Sequence, residues 1–318
     1  MRRWELLIAA VLLPCFFGFR PALASPPMWL GAAVFMKETR VENPVPTPPR
    51  PEDFAGGRDM PLAAQPKGWV TFTFDDGPNS KFTPRILDAL AAHHIPATFF
   101  VVAKRFTKRS RAWRTNRKLL NRIIQDGHAV GNHTFNHRDL RRMRRKRMKK
   151  EVSTAEALLK GFLGSRPYLF RPPFGRITEA GRRTLRKEKY TIAKWNIDTV
   201  DYRAKNREKL RDRTLREILK KEGGIVLFHD TKEITADVLP EVLEHLFQTN
   251  CERIDSGESP IIPVSLHYFL ANQDGTQRKI PEDIQLQTKT YRRWLDASCE
   301  FRESPFPTIP VEDEGQPT

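Results

Sequence analysis

Cysteine is scarce in this chain, three residues in 318, which excludes a small scaffold held together by many disulfides. Acidic residues are also short: 38 Asp and Glu stand against 55 Lys and Arg, a formal net charge of +17. No internal repeat is present, so a solenoid is excluded. The apolar run near the start, Leu6 to Phe19, is short for a membrane span. No nucleic-acid recognition motif accompanies the positive charge. What is present is enough apolar material for a core, 39% hydrophobic residues including 20 Phe, which excludes wholesale disorder.

Met1-Arg2-Arg3 is a positive start, Leu6 to Phe19 is apolar, and Ala22-Leu23-Ala24 is a small-x-small string. This is the layout of a secretory signal peptide over 1–24, cleaved after Ala24 and leaving no stable membrane span; an uncleaved anchor is the other reading. A lipoprotein needs a small residue before Cys15, where Pro14 stands. The expected location is therefore periplasm, cell envelope or extracellular space. Cleavage removes Arg2, Arg3, Arg20 and Glu5, and the remainder keeps a charge of about +15. So basic a protein is drawn to polyanions. For an exported one, an anionic cell-wall glycan or a membrane surface fits better than nucleic acid. Cys251 and Cys299 remain, either bridged or as two free thiols.

Residues 25–67 are Pro-rich and aperiodic and read as a linker. From Trp69 the pattern alternates. Strand-like apolar runs lie near 69–74, 97–102, 128–131, 168–170, 190–195, 224–228 and 261–264. Helical stretches lie near 83–92, 116–125, 144–162, 178–187, 208–221 and 236–247, and Val152, Ala155, Leu158, Leu159 and Phe162 share one face. Such alternation predicts an α/β fold with a parallel sheet, open or closed into a barrel, with its chemistry at the carboxyl ends of the strands. Residues 104–122 and 138–150 each carry nine Lys or Arg, with Asp139 the only acid in the two stretches. They are either solvated faces or a rim that holds an anionic polymer. After about residue 270 the chain turns polar and ends in the Pro- and acid-rich stretch 305–318.

Five strings carry chemistry. Asp75-Asp76-Gly77-Pro78 ends the first strand with two carboxylates aimed apart, one able to bind a metal while the other acts as base. His133 and His137 stand at i and i+4, the same face of a helical turn, and with Asp76 make a two-histidine, one-carboxylate set suited to zinc or another divalent metal. Arg171-Pro172-Pro173-Phe174-Gly175 is a stiff loop whose backbone N–H groups suit an oxyanion hole, with Arg171 free to pair with a carboxylate. Asp198 and Asp201 precede Tyr202. Leu227-Phe228-His229-Asp230 ends a buried strand with a histidine suited to general acid work. His93, His94, His128, His245 and His267 lack such partners and read as structural.

In this order the five strings resemble the motifs of the polysaccharide deacetylases, the NodB-like group of carbohydrate esterase family 4, over residues 68–270. The resemblance implies a distorted (β/α)7-type barrel, one divalent metal, zinc first and cobalt next, and hydrolysis of the N-acetyl group of N-acetylglucosamine in a glycan. It implies Asp75 as general base and Asp76, His133 and His137 as metal ligands. Arg171 orients Asp75 and keeps it ionised. The Phe174 N–H helps bind the oxyanion, Leu227 lines a pocket for the acetyl methyl, and Asp201 supports His229 as general acid, with Asp198 the alternative partner. The family often has Tyr where Phe174 stands and Trp where Tyr202 stands, so the groove wall at Tyr202 is a place for altered substrate choice. The expected substrate is peptidoglycan, an anionic wall polymer; chitin oligomers, poly-N-acetylglucosamine and a non-catalytic glycan-binding role are the alternatives. Residues 271–318 are expected to be a partly disordered extension, and the protein a monomer.

Overall fold

The computed structural model describes residues 66–271 and 279–300. The predicted signal peptide, all of the predicted linker but its last two residues, and the stretch 305–318 lie outside the described residues.

Strand β1 (Trp69–Asp75) alternates Val70, Phe72 and Phe74 with Thr71, Thr73 and Asp75, all buried. A strand covered on both faces belongs inside a parallel sheet with helices outside. Phe74 stacks on its register partners Phe99 and Phe228, with centroids 5.0 and 6.0 Å away, so one face of the sheet is an aromatic ladder under the helices. The opposite face carries Thr73 and Asp75.

The other strands are β2 (Ala97–Val101), β3 (Ala129–Asn132), β4 (Leu169–Phe170), β5 (Thr191–Ile192), β6 (Ile197–Asp198), β7 (Gly223–His229) and β8 (Ile262–Pro263). They pair in the order β5-β4-β3-β2-β1-β7-β6, every pairing is parallel, and β8 lies beside the start of β1. The result is the expected α/β architecture, a curled parallel sheet that forms an incomplete barrel. The predicted strand 190–195 shortens to β5, and β6 lies beyond its predicted end. Among the described residues no ladder joins β5 to β6. On its other side, just before β6, Asn196 Oδ1 accepts the N–H of Ile225 on β7 at 2.7 Å, a side-chain rung beside the β6–β7 pairing. Gly224 makes room for it, since a Cβ there would stand 2.8 Å from Asn196 Oδ1.

Around the sheet run α1 (Thr83–Ala92), α2 (Trp113–Gln125), α3 (Arg145–Leu163), α4 (Glu179–Lys187), α5 (Arg207–Lys220), α6 (Glu233–Asp255), α7 (His267–Ala271) and α8 (Glu282–Glu300). α3 buries Met148, Val152, Ala155 and Leu159, close to the predicted stripe, and ends at Gly164 with φ 69°. α6 continues well beyond the predicted 236–247 and passes through Pro240.

The sequence reading missed α8. Its buried residues are only Ile284, Tyr291, Leu295 and Cys299, a narrow stripe in a polar helix, so the amphipathic signal is weak. Cys251 on α6 is bonded to Cys299 on α8, which decides between bridge and free thiols. Trp294 of α8 packs on Phe247 and His94. No helix among the described residues is long and apolar enough to cross a membrane.

Candidate active site

The chemistry-bearing strings come together at the carboxyl ends of the strands, because parallel strands all end on one side of the sheet. Asp75 ends β1, His133 follows β3, Arg171 follows β4 and His229 ends β7. A cavity lined by His128, Tyr168, His267 and Asp283 lies at the opposite, amino end of β3 and β4.

Arg171 is fully buried. Its Nη1 donates to Asp75 Oδ1 at 2.8 Å and to Thr73 Oγ1 at 2.7 Å. Nε donates to the Ala193 carbonyl at 3.2 Å and Nη2 to the Lys194 carbonyl at 3.1 Å. The guanidinium lies over the Phe100 ring at 4.1 Å and near Trp195 at 5.4 Å. One side chain therefore ties the segment that follows β5 to β1 and fixes a carboxylate there.

Asp76 turns away from its neighbour because its φ is 76°. Gly77 allows close approach here, since a Cβ would meet Asp230 Oδ2 at 1.9 Å. Asp230 is buried, accepts from Thr83 Oγ1 at 2.6 Å, and is pushed up to about 7 by that burial. Arg105 Nε donates to the Asp76 carbonyl at 2.5 Å.

His133 and His137 converge, but not on a helical turn as expected. Residues 133–137 form a loop in which Thr134 and His137 have φ of 69° and 56°. Side chains hold that loop. Asn132 Oδ1 accepts the Thr134 N–H at 2.8 Å, Thr134 Oγ1 accepts the His137 N–H at 3.0 Å, and Glu151 accepts from both nitrogens of Asn136.

The residues fit a cation. His133 Nδ1 donates to the Arg171 carbonyl at 2.7 Å, which leaves the Nε2 lone pair 3.4 Å from Asp76 Oδ1 and 3.7 Å from Asp75 Oδ2. His137 Nε2 lies 2.9 Å from the same Asp76 oxygen. That oxygen is buried yet in hydrogen-bond geometry with nothing. Three lone-pair donors within 4.8 Å of one another are a ligand set in search of positive charge. Burial would raise the Asp76 carboxyl, but the two imidazoles hold it far below the usual carboxylate range.

His229 is the register partner of Asp75. Its Nδ1 and its backbone N–H both bond Asp201, each at 2.7 Å, and Thr235 Oγ1 donates to Asp201 at 2.5 Å. Asp198 is not the partner: its carboxylate accepts the Val200 N–H at 2.9 Å and closes the turn. Burial by itself would lower the His229 imidazole, but the Asp201 hydrogen bond and charge, with Asp75 and Asp76 behind, push it up to about 9.

Phe174 sits in the left-handed region at φ 60°, exposed, with its ring edge-on to His137 at 4.7 Å. Gly175 N–H bonds the Pro172 carbonyl and Arg176 N–H the Pro173 carbonyl; neither bond uses the Phe174 N–H. Tyr202 is edge-on to His229 at 5.5 Å. Leu227 is buried two residues before His229 on the same strand face.

The histidines read as structural stand away from this cluster. His128 accepts the Ala97 N–H, and its burial depresses it to about 3. His267 bonds Ser265, His245 bonds the Glu241 carbonyl, and His93 and His94 pack on Trp294. Sequence reasoning missed Thr73, Thr83, Arg105, Trp195 and Thr235. Thr73, Trp195 and Asp230 stand in or beside the five strings, and Arg105 in the first basic stretch, but none had been given a role.

Residues 63–193 match the family model for polysaccharide deacetylase. The chain is 30% identical over 184 residues to a peptidoglycan-N-acetylglucosamine deacetylase of Bacillus cereus, covering 57% of this chain and 64% of that one. It is 33% identical over 162 residues to a chitooligosaccharide deacetylase of Bradyrhizobium, covering 51% and 70%. A crystal structure of a peptidoglycan N-acetylglucosamine deacetylase superposes with a TM-score of 0.54 at 25% identity, over 70% of this chain and 94% of that one. The chain spans less than two thirds of the length of the first curated relatives that it matches. With its curled parallel sheet and these motifs at the strand ends, the chain belongs to the polysaccharide deacetylase family.

Proposed function

We propose that this protein is an exported deacetylase that hydrolyses the N-acetyl group of N-acetylglucosamine residues in peptidoglycan and releases acetate, with residues 68–270 as its catalytic domain. One observation carries the reading. Asp75 stands between Arg171 on one side and the Asp76–His133–His137 set on the other, with the His229–Asp201 pair on the adjacent strand. The names of the relatives from Bacillus cereus and Bradyrhizobium support the acetylated glycan as substrate class.

A divalent cation held by Asp76, His133 and His137, zinc in this reading with cobalt or another divalent ion tolerated, supplies Lewis acidity toward the amide carbonyl and the hydrolytic water. The remaining work falls to the chain. Asp75 has Oδ1 tied to Arg171, while Oδ2 faces the ligand set and accepts the proton of the attacking water. The Phe174 N–H, on a loop stiffened by Pro172 and Pro173, is the donor offered to the carbonyl oxygen as it gains charge. Leu227 lines the space for the acetyl methyl. His229, its Nδ1 held by Asp201, donates from Nε2 to the departing glucosamine nitrogen as the C–N bond breaks. Tyr202, half exposed beside His229, forms the groove wall on the leaving-group side.

The test is acetate release by metal-loaded protein on peptidoglycan, chitin oligomers, poly-N-acetylglucosamine and acetylated xylan side by side. Release from peptidoglycan is expected to lead. Binding to these glycans without acetate from any would replace the enzyme reading with a glycan-binding one.

A further inference from the structure

Three arginines from two different loops meet at one carboxylate beside the candidate active site. Arg142 Nε and Arg176 Nη1 each lie 3.7 Å from Asp139 Oδ2, and Arg141 Nη2 lies 4.0 Å from it. Those distances are ion-pair contacts but too long for hydrogen bonds, so the Asp139 oxygen does not consume the guanidinium donors. Asp139 is 14% exposed, whereas the three arginines are 54%, 80% and 53% exposed. One carboxylate against three guanidiniums leaves an uncompensated charge of about +2 that faces solvent.

The position of the cluster gives it meaning. Asp139 follows His137 by two residues, and Arg176 follows Phe174 by two. His137 and Phe174 are themselves in ring contact at 4.7 Å. The cluster is thus on the rim next to the set that faces the acetamide. Asp139 Oδ1 accepts the Arg141 backbone N–H at 3.0 Å, which sets the turn on which two of the arginines stand. The partly buried carboxylate gathers the cations, and its single charge is too small to neutralise them.

We propose that Arg141, Arg142 and Arg176 form an anion subsite that recognises a carboxylate carried by the glycan near the reacting sugar, and that this recognition weakens as the polymer is deacetylated. It rests on the deacetylase reading above for its second half. Each turnover converts a neutral acetamide into an amine that is protonated at neutral pH. Ammonium groups on the glycan beside a positive rim repel it and also pair with the glycan's own carboxylates. The rim therefore holds the acetylated, anionic polymer and lets go of the product. Clustered fixed charges at the mouth of a site raise the local concentration of an oppositely charged polymer, and salt screens the effect.

The experiment is an equilibrium pull-down of the full exported protein on three preparations of insoluble peptidoglycan: untreated, carboxyl-amidated, and chemically N-deacetylated. Wild type and an R141S/R142S/R176S variant, checked for folding by circular dichroism and thermal melting, are compared at low and physiological salt. Wild type is expected to bind the untreated polymer roughly tenfold more tightly than either treated one, with the difference shrinking in salt. The variant is expected to bind all three alike. If the triple variant does not fold, R176S alone is expected to give a partial loss of the same discrimination. Equal binding of wild type to untreated and amidated polymer, or full discrimination retained in the variant, overturns the subsite. Equal binding to untreated and deacetylated polymer overturns its product-release half. Acetate release by wild type from a neutral N-acetylglucosamine oligomer, measured in parallel, reports separately on the deacetylase reading, because binding needs no turnover.

Discussion

Asp75 and His229 are register partners at the last rung of the β1–β7 ladder. Paired residues of parallel strands point to the same face, so the two groups proposed as base and acid stand side by side. They also have separate supports, Arg171 for Asp75 and Asp201 for His229.

This arrangement separates their kinetic signatures. Asp75→Asn is expected to keep its metal, by elemental analysis, and to lose about 10²- to 10⁴-fold in kcat, the usual contribution of a positioned base. His133→Ala is expected to lose metal instead. Chelation should abolish activity in the wild type, and zinc or cobalt should restore it. Full activity in chelated, metal-free protein would end the proposed mechanism.

The alkaline limb of the pH–rate profile is expected to belong to His229, the proposed general acid. A general acid works only while protonated, so activity should fall as pH rises through about 9, the value to which Asp201 lifts His229 against burial. Asp201→Asn removes the hydrogen-bonded charge and should move that limb to lower pH. An unmoved limb would assign it to another group.

Arg171→Met should damage folding as well as turnover. It removes bonds to Asp75, Thr73 and the Ala193 and Lys194 carbonyls and leaves a carboxylate buried without its cation. Breaking a buried pair on one side costs about 3–5 kcal/mol, readable as a fall in denaturant midpoint. A variant as stable as wild type would show that the tie between β1 and the segment after β5 is not needed for folding.

Gly77→Ala forces a methyl onto Asp230 Oδ2, 1.9 Å from the ideal Cβ. The expected cost is about 1–3 kcal/mol of overpacking, with weakened metal affinity because Asp76 is the preceding residue. A crystal structure with Asp230 undisplaced would contradict it.

Reduction of the Cys251–Cys299 bridge opens a separation of 48 residues. Loop-closure entropy for that length is worth about 4 kcal/mol, so dithiothreitol should lower the melting temperature measurably and expose two thiols to iodoacetamide. Two free thiols in the unreduced protein would remove the bridge.

Much of this protein was legible before any coordinates. Strand and helix alternation implied a parallel sheet, and a parallel sheet puts every carboxyl end on one side. Asp75, Asp76, His133, His137, Arg171 and His229 could therefore be expected together from strings of a few residues, because backbone direction carries them to the same end. Local periodicity and turn chemistry are written in neighbouring residues, which is why they can be read there. What depends on residues far apart in the chain was decided by tertiary structure alone. Asp201 rather than Asp198 meets His229 because Asp198 is spent on the Val200 turn and Thr235 of α6 holds Asp201 from the other side. His133 and His137 converge through a loop held by Asn132 and Glu151, where their spacing suggested a helix. Arg171 ties the Ala193 and Lys194 carbonyls, which follow β5, to Asp75 on β1, a link between segments far apart in the chain. The polar helix α8 finds its place through four buried side chains and one disulfide, too sparse a pattern to show in sequence. The Arg141–Arg142–Arg176 cluster needs two loops to meet at Asp139, and no stretch of sequence contains that meeting.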